Sequence, residues 1–295
     1  MSRIQDILTK AEREGGVHRT RGLAPAEPAP WVAEGASAAQ AVVERTPAVA
    51  PSLPALSARR AASADSAPAD LDLDRRVVAG HAPQSLAAEQ YRSLRTRLKI
   101  AENGRALRTI IITSPNKGDG KSLTAANLAL TMAQEFQQRV LLLDADLRRP
   151  SIHRLFGIAE TPGLSEVLMG GAEVEDALVT LRDHRLTILP SGIVPLHPAE
   201  LLGSAAMRRV LDTLRARFDR ILVDMPPVAP LADVAIASSM ADGVLMIVRA
   251  GVTPKPAIER ALSGLDMSKV VGLVLNDAGD TAAKYGYGAG GYAAG

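Results

Sequence analysis

The chain has 295 residues, with 34 Lys and Arg against 32 Asp and Glu, a formal net charge of +2, and no cysteine. That balance, without any long Lys/Arg run, argues against a dedicated nucleic-acid binder, and the absence of thiols excludes disulfides and cysteine metal sites. No apolar run approaches the ~18 residues of a membrane span, and the N-terminus carries no signal-peptide core.

In chain order, residues 2–14 place Ile4, Ile7, Leu8 and Ala11 at helical spacing. The expectation is a short amphipathic helix within segment 1–22, either a marginal helix or a docking element for a partner. From 23 to 70, 24 of 48 residues are Ala or Pro. Such a stretch buries too little apolar surface to offset chain entropy, so 23–80 is expected to be a disordered linker. Residues 81–280 then suit one α/β domain, followed by a Gly/Tyr tail at 281–295.

Within the domain, 86–100 reads as a helix. Apolar runs of strand length recur at 109–113, 140–143, 186–189, 221–223, 244–248 and 270–275. Their apolarity is continuous rather than alternating, which implies burial on both faces, as in a parallel sheet. Helical patterns at 123–137, 198–218 and 256–265 fall between strands. Alternation of this kind predicts a doubly wound, mostly parallel α/β sheet.

The first strand runs into a loop in which Gly118, Gly120, Lys121 and Ser122 match the second half of the phosphate-binding pattern G-x-x-x-x-G-K-[ST]. The glycines let backbone N–H groups wrap phosphate oxygens, and the helix that follows adds its positive end. Residues Asn116, Lys117, Gly118, Asp119, Gly120, Lys121, Ser122 and Leu123 form the candidate nucleotide loop. Lys121 is placed to reach the β- and γ-phosphates, and Ser122 to hold Mg²⁺. Pro115 stands where the pattern has its first glycine.

At the end of the next strand, Asp144 and Asp146 lie two residues apart, followed by Arg148 and Arg149. The C-terminal edge of such a sheet binds ligands. Asp144 is a candidate to bind or orient Mg²⁺ or to accept a proton; Asp146 is a candidate second metal-shell group. The alternative is a surface ion pair from Asp146 to Arg149. A third strand ends Ile-Leu-Val-Asp224-Met-Pro-Pro, with Asp224 placed to meet Mg²⁺ directly or through water. The five histidines show no metal spacing.

Of four tyrosines in the chain, three lie in the last eleven residues: Tyr285, Tyr287 and Tyr292. If strand 270–275 is parallel to the others, it ends on the phosphate-loop edge, and a Gly-rich segment of ~16 residues reaches roughly 20–24 Å from there. A tyrosine hydroxyl has a pKa of about 10, so a carboxylate base and a cation are needed to make it a nucleophile at neutral pH. A nucleotide site beside a tyrosine tail suggests a kinase that phosphorylates its own kind.

The segment Asp144-x-Asp146-x-Arg148-Arg149-Pro150 and the Asp224-Met-Pro-Pro turn resemble the Walker A′ and B motifs of bacterial tyrosine kinases, the P-loop autokinases of exopolysaccharide and capsule loci. Glu89, Arg92 and Arg95 resemble that family's E-x-x-R-x-x-R subunit-contact helix; 197–202, 218–224 and 274–276 fit it too. The N-terminal helix and linker resemble the subgroup found beside exosortase-type loci. The resemblance implies a P-loop fold and a transferase that uses ATP and Mg²⁺ to autophosphorylate tyrosines between subunits of a ring-shaped homo-oligomer. Regulation of polysaccharide chain length or export follows from it.

It further implies catalytic roles for Lys121, Asp144 and Asp146, metal contacts from Ser122, Asp144 and Asp224, and a base contact from Asn276. Its activator would be a membrane chain-length determinant or polysaccharide co-polymerase, and the chain would be cytoplasmic, held at the inner membrane through that partner. Two alternatives stand beside this reading. One is a non-kinase switch of the septum-placement and partition type, whose signature lysine falls where this chain has Asn116. The other is an ATP-gated scaffold of the polysaccharide machinery.

Overall fold

A computed structural model describes residues 72–135, 138–228 and 233–279. The expected helix in 1–22, linker residues 23–71, and the tail with Tyr285, Tyr287 and Tyr292 lie outside the described residues. Seven strands form one sheet: β1 (Thr109–Thr113), β2 (Val140–Asp144), β3 (Val179–Leu181), β4 (Leu186–Leu189), β5 (Arg220–Asp224), β6 (Gly243–Arg249) and β7 (Val270–Asn276). Their order is β3-β4-β2-β5-β1-β6-β7. Every neighbouring pair is parallel except β3 with β4, so the sheet is doubly wound and mostly parallel.

The continuous apolar runs divide between two cores by the period of two. Ile110, Ile112, Leu142, Ile188, Leu222, Leu245 and Ile247 face one layer; Ile111, Leu141, Leu143, Ile221, Val223, Val244 and Met246 face the other. Each such side chain contributes about 1.5–3 kcal/mol on burial. The second layer is closed by α8 (Ala205–Arg217), α9 (Asp233–Ser238) and α10 (Lys255–Ser263) through Leu211, Leu214, Val234 and Leu262. The first is closed by α2 (Leu86–Ala101) and α3 (Lys121–Ala133). Ala125, Ala126, Ala129 and Ala133 of α3 are all fully buried, so small residues bring this helix close against the sheet.

Residues 72–80, assigned by composition to the linker, belong instead to the domain. Leu73, Val77 and Ala79 are buried, and α1 (Val78–His81) packs on α3. The stitch is Asn127 of α3. Its Oδ1 accepts the Ala79 N–H at 2.9 Å, and its amide donates to the Arg76 carbonyl at 3.1 Å. The expected single helix 198–218 is two, α7 (Pro198–Leu202) and α8, because Gly203 ends one and the Ser204 hydroxyl caps the next by accepting the Met207 N–H. Three further short helices, α4 (Ile152–Phe156), α5 (Leu164–Leu168) and α6 (Val174–Ala177), fill the connection from β2 to β3.

Candidate active site

Three strand ends meet at one edge of the sheet. The register places Ile112 of β1 beside Asp224 of β5, and Asp224 beside Asp144 of β2. Neighbouring parallel strands thus present two buried carboxylates next to the loop that leaves β1. That loop turns through Gly118 (φ +87°) and Gly120 (φ +96°), left-handed conformations that L side chains rarely adopt. A Cβ at Gly120 would also collide with the Asn276 amide. Pro115 is buried, while Asn116 is half-buried and Lys117 and Gly118 are exposed, so the proline ring packs into the protein and leaves the cradle open. Helix α3 starts at Lys121, directing its free N–H groups and positive dipole end to the same point.

The Lys121 ammonium lies 2.7 Å from Asp146 Oδ2 and 3.4 Å from Asp224 Oδ1, and donates to Ser122 Oγ at 3.0 Å. Burial alone would lower its pKa, but the Asp224 and Asp146 carboxylates outweigh it and raise it. Asp146 is therefore paired with Lys121 rather than with Arg149. Asp144 is fully buried. Its Oδ2 accepts the N–H groups of Ser151 and Ile152, both at 3.0 Å, and its Oδ1 that of Asp146 at 3.2 Å. Burial, then the like charge of Asp224, pushes its pKa up to about 7 despite those bonds. Burial likewise raises Asp224, against the pull of Lys121.

Asp224 Oδ2 is buried with no hydrogen-bond partner. An orphaned carboxylate oxygen beside a hydroxyl is a donor set for a hard cation. Among the described residues, no group of three or more His, Cys, Asp or Glu could hold a metal unaided. The donors present, Asp224 Oδ2 and the Ser122 hydroxyl, suit Mg²⁺, which takes one or two carboxylates and completes its shell with water and phosphate oxygens.

Other expected site residues take different places. Asp119 braces the loop: its Oδ2 accepts the Asn116 N–H at 2.8 Å, and its Oδ1 accepts the Thr253 hydroxyl at 2.8 Å. Its side chain is therefore spent within the protein and not offered to phosphate. Asn276 donates its amide to the Asp119 carbonyl at 2.9 Å, which joins the end of β7 to the loop. Leu123 is half-buried in the first turn of α3.

Glu89, Arg92 and Arg95 lie apart from the carboxylates, on α2. Arg92 pairs with Glu89 at 2.6 Å, and Arg95 donates to the Thr131 carbonyl at 2.8 Å. Sequence reasoning missed Thr253, Ser114 and Asp233. The Ser114 hydroxyl donates to the Asn116 carbonyl at 2.7 Å, and buried Asp233 holds Arg148 at 2.8 Å. No local pattern marks contacts across 85 or 134 residues.

A family profile described as an AAA domain matches residues 107–266. Tyrosine-protein kinase YwqD of Bacillus subtilis is 38% identical over 206 residues, which cover 69% of this chain and 86% of YwqD. The chain belongs to the bacterial tyrosine-protein kinase family. A second relative in this family, the putative tyrosine-protein kinase EpsB of Ralstonia nicotianae, is 35% identical over 214 residues, 72% of this chain but only 28% of EpsB. The kinase domain of Escherichia coli tyrosine kinase ETK superposes with a TM-score of 0.65 at 30% identity, covering 68% of this chain and 79% of that domain.

Proposed function

We propose that this chain is an ATP- and Mg²⁺-dependent protein-tyrosine kinase that phosphorylates Tyr285, Tyr287 and Tyr292 between copies of itself and so regulates exopolysaccharide chain length or export. The observation that carries the reading is the convergence of Lys121, Asp146 and the buried Asp144–Asp224 pair at the head of α3, in a chain of this family. The backbone of 118–122 and Lys121 bind the β- and γ-phosphates. Ser122 and Asp224 hold Mg²⁺, with Asp144 behind them; the cation neutralises phosphate charge when bound. The tyrosine oxygen bonds to the γ-phosphorus as the bond from that phosphorus to the β–γ bridging oxygen breaks. ADP leaves, and the hydroxyl proton passes to Asp144.

A base with a pKa near neutral suits this task, because it is ionised enough to take the proton yet basic enough to drive transfer. Glu89, Arg92 and Arg95 contribute to contacts in a ring of copies, and a membrane co-polymerase activates transfer and holds the kinase at the inner membrane. We assign the Asn276 region, at the β7 side of the loop, to the nucleotide base. The domain that performs this spans 72–279, with the N-terminal segment as a partner-docking element. Intact-mass measurement after incubation with ATP and Mg²⁺ tests the reading. One to three phosphoryl additions on the wild type and none on Asp144→Asn are expected; an unchanged wild-type mass with the activator present refutes it.

A further inference from the structure

Reading along the catalytic edge gives a fixed sequence of parts. Asn276 lies on β7, the phosphate loop on β1, Asp224 on β5, Asp144 on β2, and beyond them the loop that leaves β4. Leu189, the last residue of β4, pairs with Leu143, so this loop begins one strand from the proposed base. It is built to hold a shape. The Pro190 and Ser191 carbonyls accept the N–H groups of Leu164 and Ser165, each at 2.8 Å. The Glu166 carboxylate accepts the N–H of Ile193 at 3.2 Å and of Gly163 at 3.0 Å. Gly192, at φ +78°, is packed so tightly on Glu166 that a Cβ would collide with that carboxylate.

From this braced base the tip turns apolar side chains to solvent, Ile193 52% exposed, Val194 58% and Leu196 93%, with exposed His197, 3.8 Å from Glu200, directly after them. Single exposed apolar residues are ordinary, whereas a contiguous group on a pinned loop marks a contact surface.

We propose that Ile193, Val194 and Leu196 form the acceptor platform of the kinase, receiving the tyrosine-bearing segment 281–295 of a second copy of this chain. The inference rests on the kinase reading and deepens it. In-line transfer requires the acceptor to enter opposite the leaving group. With the phosphates over β1 and the base on β2, that side is β4. The occupant matches in chemistry, because segment 281–295 contains a single charged side chain, Lys284, among Thr281, Gly, Ala and three Tyr. An apolar shelf suits such a segment.

For Tyr285, reach favours a second copy. The chain's own tail departs from β7, five strand spacings from β4, or roughly 24 Å at ~4.8 Å each. Five residues lie between Gly279 and Tyr285, so Tyr285, six steps on, spans at most about 20–22 Å and falls short in its own chain, whereas Tyr287, eight steps on, spans about 26–29 Å and Tyr292 more.

The test mixes two full-length chains. The donor carries Tyr285→Phe, Tyr287→Phe and Tyr292→Phe; the acceptor carries Lys121→Met. Placing Ile193→Ser, Val194→Ser and Leu196→Ser together in the donor is expected to raise the acceptor KM about tenfold. The saturated rate and ATP affinity should hold, and the same changes in the acceptor chain should do nothing. An unchanged acceptor KM overturns the proposal. So does equal loss from either placement, which would mark a symmetric contact between copies. If the pair with an intact loop shows no transfer, the kinase reading itself has failed, and that result is distinct because the loop is untouched.

Discussion

Asp144→Asn should stabilise the nucleotide-free protein while it removes transfer. The Asp144 pKa rises on folding from 3.8 to about 7, through burial and then the Asp224 charge. The folded chain therefore holds this proton more tightly than the unfolded chain, so stability is lost as pH climbs through that window. Linkage with these two values gives a loss of roughly 2–3 kcal/mol between about pH 5 and about pH 8. Asn keeps the shape and one oxygen for the Ser151 and Ile152 N–H groups. It forfeits the acceptor for the Asp146 N–H, an offset of about 1 kcal/mol that does not vary with pH.

The variant's stability relative to wild type should then grow by roughly 2–3 kcal/mol across the window, or roughly 4–12 °C in Tm for a domain of this size. Thermal and urea unfolding of the full chain without nucleotide, at both pH values, reads this directly. Wild type and variant falling in parallel with pH would refute the claim that Asp144 is a strained buried acid. Transfer by the variant should drop by roughly 10²-fold or more, as for loss of a general base.

The same ionisation should shape the rate: kcat/KM for the acceptor should rise with pH and level off above about 7 as Asp144 becomes a base, measurable with phosphotyrosine-specific detection. Gly120→Ala should cut ATP affinity more than roughly tenfold by calorimetry, because φ +96° and the Asn276 amide both exclude a methyl there. Asn276→Ala should not rescue it, since the backbone strain remains. Thr253→Val removes the hydroxyl that holds Asp119, and should raise the ATP KM a few-fold, about 1 kcal/mol, with kcat kept; Thr253→Ser should restore it.

What could be read from the residues follows from how far each determinant reaches along the chain. Five of the six parallel strands are legible because burial on both faces writes continuous apolar runs into four or five consecutive positions. β7, at the sheet edge, carries such a run although its residues are only part-buried and Leu275 is exposed. β3 is not legible: it is three residues long, antiparallel, and only Leu181 of its Val-Thr-Leu is buried. The phosphate loop, Asp144 and Asp224 were legible because each stands at the end of a strand, with Asp146 two residues past β2, and register between strands does the rest. Composition averaged over a long Ala/Pro stretch hid Leu73, Val77 and Ala79, whose place in the core depends on Asn127, some fifty residues away.

The bracing role of the Asp119 side chain was not legible for a related reason: one of its oxygens accepts the hydroxyl of Thr253, 134 residues on, and the other the Asn116 N–H. A loop meant to hold an anion can carry an acid, provided the fold turns that acid inward to stiffen the backbone whose N–H groups do the binding. This makes the rigidity of the cradle a property of the Thr253 turn after β6, the end of β7 and the loop together.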